Sequence, residues 1–293
     1  MKEINSNINA PAYICVGGVF LFAVLQIKQS EQGILAVMKN HLLQPQTDVK
    51  RVNIAGAQPF FIVSTTQKSG QIPWNAIEYS LGRLSGRLLL PNGVTPPINS
   101  NVKSLETTDN LSAKMLLNTA IKVSKHSEIP KQKQRITVVD RTGIYIDQIE
   151  DVIKSAAVVR VITDRIIQYE QLAKNIFYKW GASIILSTDL RFALQSDIII
   201  SPFEQITGTN SLVLSTNACR CATAKTVISP QITLPAEFSE FLPQNIDEHK
   251  FACALYDDCG LKKLAGSSFE TMLFCGCEQN VFKLAQMINY ETS

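Results

Sequence analysis

Ile136–Asp140 (ITVVD) decides the fold, because it opens a series of short apolar runs that each end in polar residues. Val158–Thr163 (VVRVIT) is the second run, Ala182–Ser187 (ASIILS) the third and Asp197–Ser201 (DIIIS) the fourth. Segments with helical character separate the runs. An alternation of strands and helices predicts a parallel, doubly wound sheet with helices on its faces.

The fold class predicted from this series is α/β: a Rossmann-like doubly wound parallel sheet preceded by a smaller α/β region. The predicted division has an apolar segment and helix over residues 1–50, the small region with a bridging helix over 51–130, and the Rossmann-like domain with a Cys-containing tail over 131–293. Further predicted strands are Pro59–Ser64, Ser211–Ser215 and Thr226–Thr233. Predicted helices are Gln32–Gln44, Trp74–Leu90, Ser112–His126, Phe251–Cys259 and Val281–Ile288.

Polar residues follow the predicted strands, and the carboxyl ends of parallel strands share one edge of a sheet. The predicted ligand-binding residues at this edge are Asp140, Arg141, Thr142, Gly143, Asp164, Arg165, Asp189 and Ser201. Such an edge suits a small polar ligand or a protein partner. The alternative is that each Asp caps the following helix and each Arg neutralises it, which is common at strand-to-helix junctions.

The turn after the first strand lacks the glycine pattern of a dinucleotide site. That pattern, G-x-G-x-x-G, lets the backbone approach a pyrophosphate. Here the turn reads DRTGIY, and Gly143 is its single glycine. Asp164 does end the second strand, where the pattern has its ribose-binding carboxylate. The main prediction is therefore ligand or partner binding without dinucleotide chemistry, and an NAD(P)-dependent oxidoreductase with an atypical cofactor loop is the alternative.

The cysteines give a third hypothesis, a thiolate metal protein. Six of the seven cysteines lie near the carboxyl end, and four of them form the C-x-C pairs Cys219/Cys221 and Cys275/Cys277. Structural zinc sites favour two to four residues between paired cysteines, so no metal ligands are assigned. The odd cysteine count favours a reducing compartment, and a cytoplasmic location is expected.

The apolar run Pro11–Ile27 has two interpretations, a membrane anchor and a buried hairpin. As a helix it would span roughly 25 Å, slightly less than a hydrocarbon core of about 30 Å. As a hairpin it would turn at Gly17-Gly18. Since Lys28, Lys39, Lys50 and Arg51 follow the run and Lys2 precedes it, an anchor would tether the chain to the inner face of the membrane.

Composition and motifs limit the remaining functions. The net charge of +3 is too small to indicate a basic nucleic-acid-binding surface, so no nucleic-acid partner is expected. Walker loops, G-x-S-x-G elbows and H-E-x-x-H helices are absent from the sequence. Arg83 and Arg87, four apart in a predicted helix, suit either an anion-binding pair or a solvated face. Catalytic residues, cofactor and oligomeric state stay unassigned at this point.

Overall fold

A computed structural model describes residues 21–28, 47–67, 70–216 and 225–289. These residues form two compact units, the first built from 1–108 and 233–262 and the second from 109–232 and 263–293. The predicted helix Gln32–Gln44 lies outside the described residues, as do Cys219 and Cys221.

The described strands and helices are numbered here in chain order. The strands are β1 Ala23–Lys28, β2 Thr47–Val52, β3 Phe60–Thr66, β4 Leu88–Leu89, β5 Arg135–Val139, β6 Val158–Ile162, β7 Ile184–Ser187, β8 Ile198–Ile200, β9 Leu212–Ser215, β10 Lys225–Ile228, β11 Thr271–Phe274 and β12 Cys277–Asn280. The α-helices are α1 Trp74–Leu81, α2 Asn110–His126, α3 Ile149–Ile153, α4 Ile166–Trp180, α5 Ala236–Ser239, α6 Glu248–Asp257 and α7 Val281–Asn289.

The first unit contains a four-stranded sheet in the order β2-β3-β1-β4. Strand β1 pairs in parallel with β3 and β4, and β2 closes the far side antiparallel to β3. Ala23 and Leu25 of β1 share a core cluster with Ile77 and Leu81 of α1. The parallel centre of this sheet is strongly apolar because side chains alternate between its two faces and both faces are covered.

The opposite face of that sheet carries an aromatic cluster. Phe22 and Phe60 stack with ring centroids 5.4 Å apart, and Phe251 of α6 meets both rings edge-on. All three side chains are fully buried. Aromatic pairs in these geometries contribute about 0.5–1.5 kcal/mol beyond the area that they bury.

Two predictions for the first unit need correction. The helix predicted over Trp74–Leu90 ends at Leu81, because Gly82 adopts φ +54° and a 3₁₀ turn over Gly82–Gly86 follows. A membrane-spanning helix over the whole of Pro11–Ile27 does not form, since Ala23–Ile27 belongs to β1. Residues 11–20 lie outside the described part, so the hairpin stays a prediction. No helix within the described residues is both long and apolar enough to cross a bilayer.

The second unit contains an eight-stranded sheet in the order β12-β11-β10-β9-β8-β5-β6-β7. All pairings from β7 through β10 are parallel. When these six strands are numbered in chain order with β5 as the first, they lie in the order 3-2-1-4-5-6 across the sheet from β7 to β10. This is the strand order of the Rossmann dinucleotide-binding fold. The predicted doubly wound parallel sheet is confirmed.

The sheet of the second unit is extended by an antiparallel hairpin that the sequence analysis did not predict. Strand β11 pairs antiparallel with β10, and β12 pairs antiparallel with β11. Helix α2 contacts β8 and β9 and also packs against α7. On the sheet itself, Val139, Ile162, Ile199 and Val213 share a core cluster with Ala193.

Candidate functional site

The direction of the strand order reverses between β5 and β8, which are hydrogen-bonded neighbours in the sheet. From β5 the chain proceeds through β6 and β7 on one side, then returns to place β8 on the other side. At such a switch point the connections leave in opposite directions, and a crevice opens outside the carboxyl ends of the two strands. Asp140 and Arg141 follow β5, and Ser201 follows β8.

Asp140 is the organising residue of the loop after β5. Its carboxylate is buried and accepts backbone N–H groups from Gly143 at 2.8 Å, Ile144 at 2.9 Å and Tyr145 at 2.9 Å. The Tyr169 hydroxyl of α4 donates a fourth hydrogen bond at 2.5 Å. Successive backbone N–H groups in such a turn form an anion-binding concavity. In this loop the bound anion is the protein's own side chain.

Gly143 is the glycine that this loop requires. Its φ of +84° lies in the left-handed region, and an added Cβ would lie 2.9 Å from Cδ1 of Ile146 and 3.6 Å from Cγ of Arg165. The backbone conformation and the nearby Ile146 side chain thus explain why this position is a glycine. The stem of Arg165 also lies close above the loop.

Arg141 links the ends of three strands and the loop after β8. Its Nε donates to Oε1 of Glu204 at 2.7 Å, and its Nη1 lies 3.0 Å from Oδ1 of Asp164 and from the carbonyl oxygen of Thr188. The hydrogen bond to Glu204 is the main reason that the pKa of Arg141 is raised, partial burial acts against it, and Asp164 adds to the rise. The Arg141–Glu204 pair joins the loops that follow β5 and β8, because Arg141 follows β5 and Glu204 follows β8.

Two tyrosines pack beneath the loop and remain protonated. Burial, followed by the nearby Asp140 carboxylate, raises the pKa of Tyr145 and of Tyr169 well above the ordinary value. The Tyr145 hydroxyl donates to the carbonyl oxygen of Ala113 in α2 at 2.8 Å. Both hydroxyls therefore act as donors that fix the loop.

Asp164 and Arg165 follow β6 and are exposed. The Asp164 side chain retains 63% exposure although one of its oxygens pairs with Arg141. Its side chain does not cap α4, whose N-cap residue is Arg165. Among the residues that the structure describes, the Arg165 guanidinium has no ion-pair partner, and the backbone N–H of Arg165 donates to Thr163 Oγ1.

The remaining predicted residues have local roles. Asp189 accepts from the backbone N–H of Arg191 at 2.9 Å and pairs with its guanidinium, so it caps the 3₁₀ turn that follows β7. The Ser201 hydroxyl is buried and donates to the carbonyl oxygen of Glu204 at 2.7 Å. Thr142 is exposed at the loop tip.

The structure thus brings Asp140, Arg141, Gly143, Asp164 and Arg165 into one group around the loops that follow β5 and β6. The sequence analysis did not single out Glu204 or Tyr169 as members of this group. Glu204 lies three residues after Ser201, within the loop after a predicted strand, which was the available signal. No sequence signal pointed to Tyr169, because a tyrosine within an amphipathic helix is typical of a core residue.

The sheet and its polar carboxyl edge define a Rossmann-like α/β protein, and the solved structures that resemble it have the same class of fold. Δ1-pyrroline-2-carboxylate reductase from Thermococcus litoralis, in complex with NADH and L-proline, is 12% identical with a TM-score of 0.28, over 65% of this chain and 68% of that one. L-tryptophan dehydrogenase from Nostoc punctiforme is 12% identical with a TM-score of 0.28, over 93% and 80%. Quinate dehydrogenase from Corynebacterium glutamicum, in complex with NAD, is 11% identical with a TM-score of 0.29, over 92% and 98%.

These likenesses concern the fold alone, since the identities and scores are low. No family model matches the chain, and no curated protein matches it.

The main function predicted from the sequence needs correction. That prediction, ligand or partner binding without dinucleotide chemistry, depends on the missing glycines. The strand order of this chain's own sheet is instead the dinucleotide-binding one. The prediction is wrong, and its alternative, an oxidoreductase with an atypical cofactor loop, is taken up below.

The cysteines divide by environment. Cys253 and Cys259 are buried in the first unit, whereas Cys275 and Cys277 are exposed at the turn between β11 and β12. Burial of Cys253 and Cys259 is typical of thiols that pack as small apolar side chains. The thiolate metal hypothesis stays a prediction.

Proposed function

We propose that this protein is a nucleotide-binding oxidoreductase of the Rossmann class whose phosphate-binding loop is atypical. The observation that carries the proposal is the strand order, which reverses between β5 and β8. In open α/β sheets, ligands bind at this reversal, outside the carboxyl ends of the strands.

The nucleoside half of a dinucleotide has suitable partners beside β6. Asp164 is exposed and lies just after the second strand of the series, where a carboxylate binds the hydroxyls of the adenosine ribose in this fold. Arg165 presents an exposed guanidinium next to it, and guanidinium groups suit phosphate recognition. The pair thus provides an acceptor for ribose hydroxyls and a cation for phosphate.

The pyrophosphate does not fit the loop after β5 in the usual way. The N–H groups of Gly143, Ile144 and Tyr145 already donate to Asp140 and cannot also donate to a phosphate. In this proposal the cofactor phosphates are therefore balanced by the guanidinium of Arg165, above Gly143, rather than by the loop N–H groups. A nicotinamide dinucleotide bound at this edge would supply hydride transfer, and the chain's own groups would position it.

Titration of the full chain with NADH and NADPH, followed by nucleotide fluorescence, tests the proposal. We expect saturable binding that Asp164→Asn weakens roughly tenfold, because a charge-assisted hydrogen bond contributes about 1.5–3 kcal/mol. Arg165→Gln should weaken binding as well, and more for NADPH if Arg165 contacts the 2′-phosphate.

Asp151→Asn is the matched control. Asp151 has 62% side-chain exposure, close to that of Asp164, and likewise pairs with one cation, Lys154. It lies in α3, away from the carboxyl edge. Equal weakening by Asp164→Asn and Asp151→Asn, or no binding of either nucleotide at millimolar concentration, would contradict the proposed function.

A further inference from the structure

The first unit contains an open polar cavity of about 970 Å³ that the proposed function does not use. It lies where α1 passes into the 3₁₀ turn Gly82–Gly86 and then into β4. Arg83, Arg87 and Lys103 line it, together with the carboxylate of Glu78 and with uncharged polar residues, tyrosine and glycine. No aliphatic side chain is among the lining residues. A cavity of this size is in the range of small-molecule sites, and its charged and polar lining suits a polar ligand.

The cations outnumber the acids around this cavity. Glu78 already accepts a hydrogen bond from Asn101 at 2.5 Å. Arg87 is held in place on two sides, because its Nε donates to the carbonyl oxygen of Leu21 at 3.2 Å and its Nη2 pairs with Asp258. Arg83 and Lys103 are exposed, and their charges add to that of Arg87.

Among the described residues, the backbone next to these cations is held by hydrogen bonds and is open at two glycines. Lys103 is fixed by two backbone hydrogen bonds, from its own N–H to the carbonyl oxygen of Ser85 and from the N–H of Leu88 to its carbonyl oxygen. Gly82 and Gly86 also line the cavity, and an added Cβ at either one would have no atom within 4 Å. The two glycines thus leave open space over the main chain, where a compact ligand can approach.

We propose that this cavity binds a small polar anion through a phosphate or carboxylate head group, with Arg83 and Lys103 as its main partners. Guanidinium forks match both head groups in a bidentate manner, and an ammonium adds a compact charge. Arg87 adds long-range electrostatic attraction, and its guanidinium also donates hydrogen bonds to Leu21 and Asp258. The proposal is independent of dinucleotide binding, because every residue that carries it belongs to the first unit.

Backbone amide chemical shifts of the full chain, followed during titration with inorganic phosphate and separately with succinate, test this inference. Ionic strength is held constant with chloride. We expect saturable shifts at Gly82 and Gly86, with a dissociation constant that Arg83→Gln raises roughly five- to tenfold, since a charged hydrogen bond of this kind is partly screened by solvent. Tighter binding of phosphate or of succinate identifies the head group.

Arg51→Gln is the control, because Arg51 is an exposed arginine of the same unit that lies on β2 and does not line the cavity. It should leave the dissociation constant unchanged, as should Asp164→Asn, which separates this inference from the proposed function. The inference is wrong if neither anion at millimolar concentration changes the amide chemical shifts of Gly82 and Gly86. It is also wrong if Arg51→Gln weakens binding as much as Arg83→Gln does.

Discussion

At the residue scale, the loop after β5 is shaped by Asp140. A carboxylate at this point takes the N–H groups that a phosphate would otherwise use, and it therefore removes the need for the first two glycines of the usual pattern. Only Gly143 is retained, because its backbone conformation and its closeness to Ile146 exclude a side chain. Because of the missing glycines, the sequence analysis gave dinucleotide binding only as the alternative to its main prediction.

Gly143→Ala should destabilise the protein more than Gly208→Ala does. Both glycines have positive φ, but an added Cβ at Gly208 meets no atom within 4 Å, whereas at Gly143 it meets Cδ1 of Ile146. Gly208→Ala should cost about 1–2 kcal/mol from the left-handed backbone alone. Urea denaturation measures both free energies of unfolding.

The additional cost at Gly143 should disappear when the contacting atom is removed. Ile146→Val lacks Cδ1, so the double variant Gly143→Ala/Ile146→Val should show a favourable coupling in a double-mutant cycle. A coupling energy of zero, or an equal cost at Gly143 and Gly208, would show that the close approach to Ile146 is absent.

Cys259 should make stability depend on alkaline pH. Burial, followed by the Asp258 carboxylate, raises the pKa of this thiol to about 12. Between the ordinary thiol pKa and about 12, the unfolded chain loses this proton and the folded chain keeps it. Stability must therefore fall as pH rises through this range, by up to about 1.4 kcal/mol per pH unit from this group.

Urea denaturation of the wild type and Cys259→Ala between pH 8 and 10.5 measures this contribution. The free-energy cost of Cys259→Ala should shrink as pH rises, because the variant lacks the ionisable thiol. Cys277→Ala, at an exposed cysteine, should show no such trend. A cost for Cys259→Ala that is constant with pH would contradict the burial of the thiol.

At the element scale, the strands were the most predictable part of the fold. Runs such as Ile136–Asp140 and Val158–Thr163 are short and apolar, since parallel strands are buried on both faces, and each lies within one or two residues of the observed strand. Helix Trp74–Leu90 was overextended because its apolar spacing continues through Gly82, where the backbone turns. The β11–β12 hairpin was missed because its residues are mostly polar or partly exposed and show no clear alternation.

The candidate site was predictable only in part. The strand-end positions of Asp140, Arg141 and Asp164 follow from the topology, and these residues do lie together. Their partners Glu204 and Tyr169 depend on the three-dimensional path of a loop and on the rotation of a helix, which residue spacing does not determine.

Tyr169→Phe should loosen the attachment of α4 to the loop after β5. The variant removes one of the four hydrogen bonds that the Asp140 carboxylate accepts. It should therefore lower the free energy of unfolding by about 1–3 kcal/mol. Tyr178→Phe is the control on the same helix, because Tyr178 is 86% exposed. Hydrogen exchange at the Gly143 and Ile144 amides should also quicken in Tyr169→Phe. Equal stability of the two variants would contradict the buried Asp140–Tyr169 bond.

At the scale of the whole molecule, two mainly parallel sheets of different size occupy two units of the chain. The larger sheet has the strand order of dinucleotide-binding proteins, and its reversal places a polar edge at β5, β6 and β8. The smaller sheet supports a separate cationic cavity. The sequence predicted the larger sheet, whereas the cavity depends on a turn that ends α1 early.

The most direct test of the account is to map NADH or NADPH binding on the full chain by backbone amide chemical shifts. The account predicts that the largest changes fall at the carboxyl ends of β6 and β8, at Thr163, Asp164, Arg165 and Ser201. Changes confined to the amino ends of the same strands, at Arg135, Val158 and Asp197, would contradict it, as would the absence of any change at millimolar nucleotide.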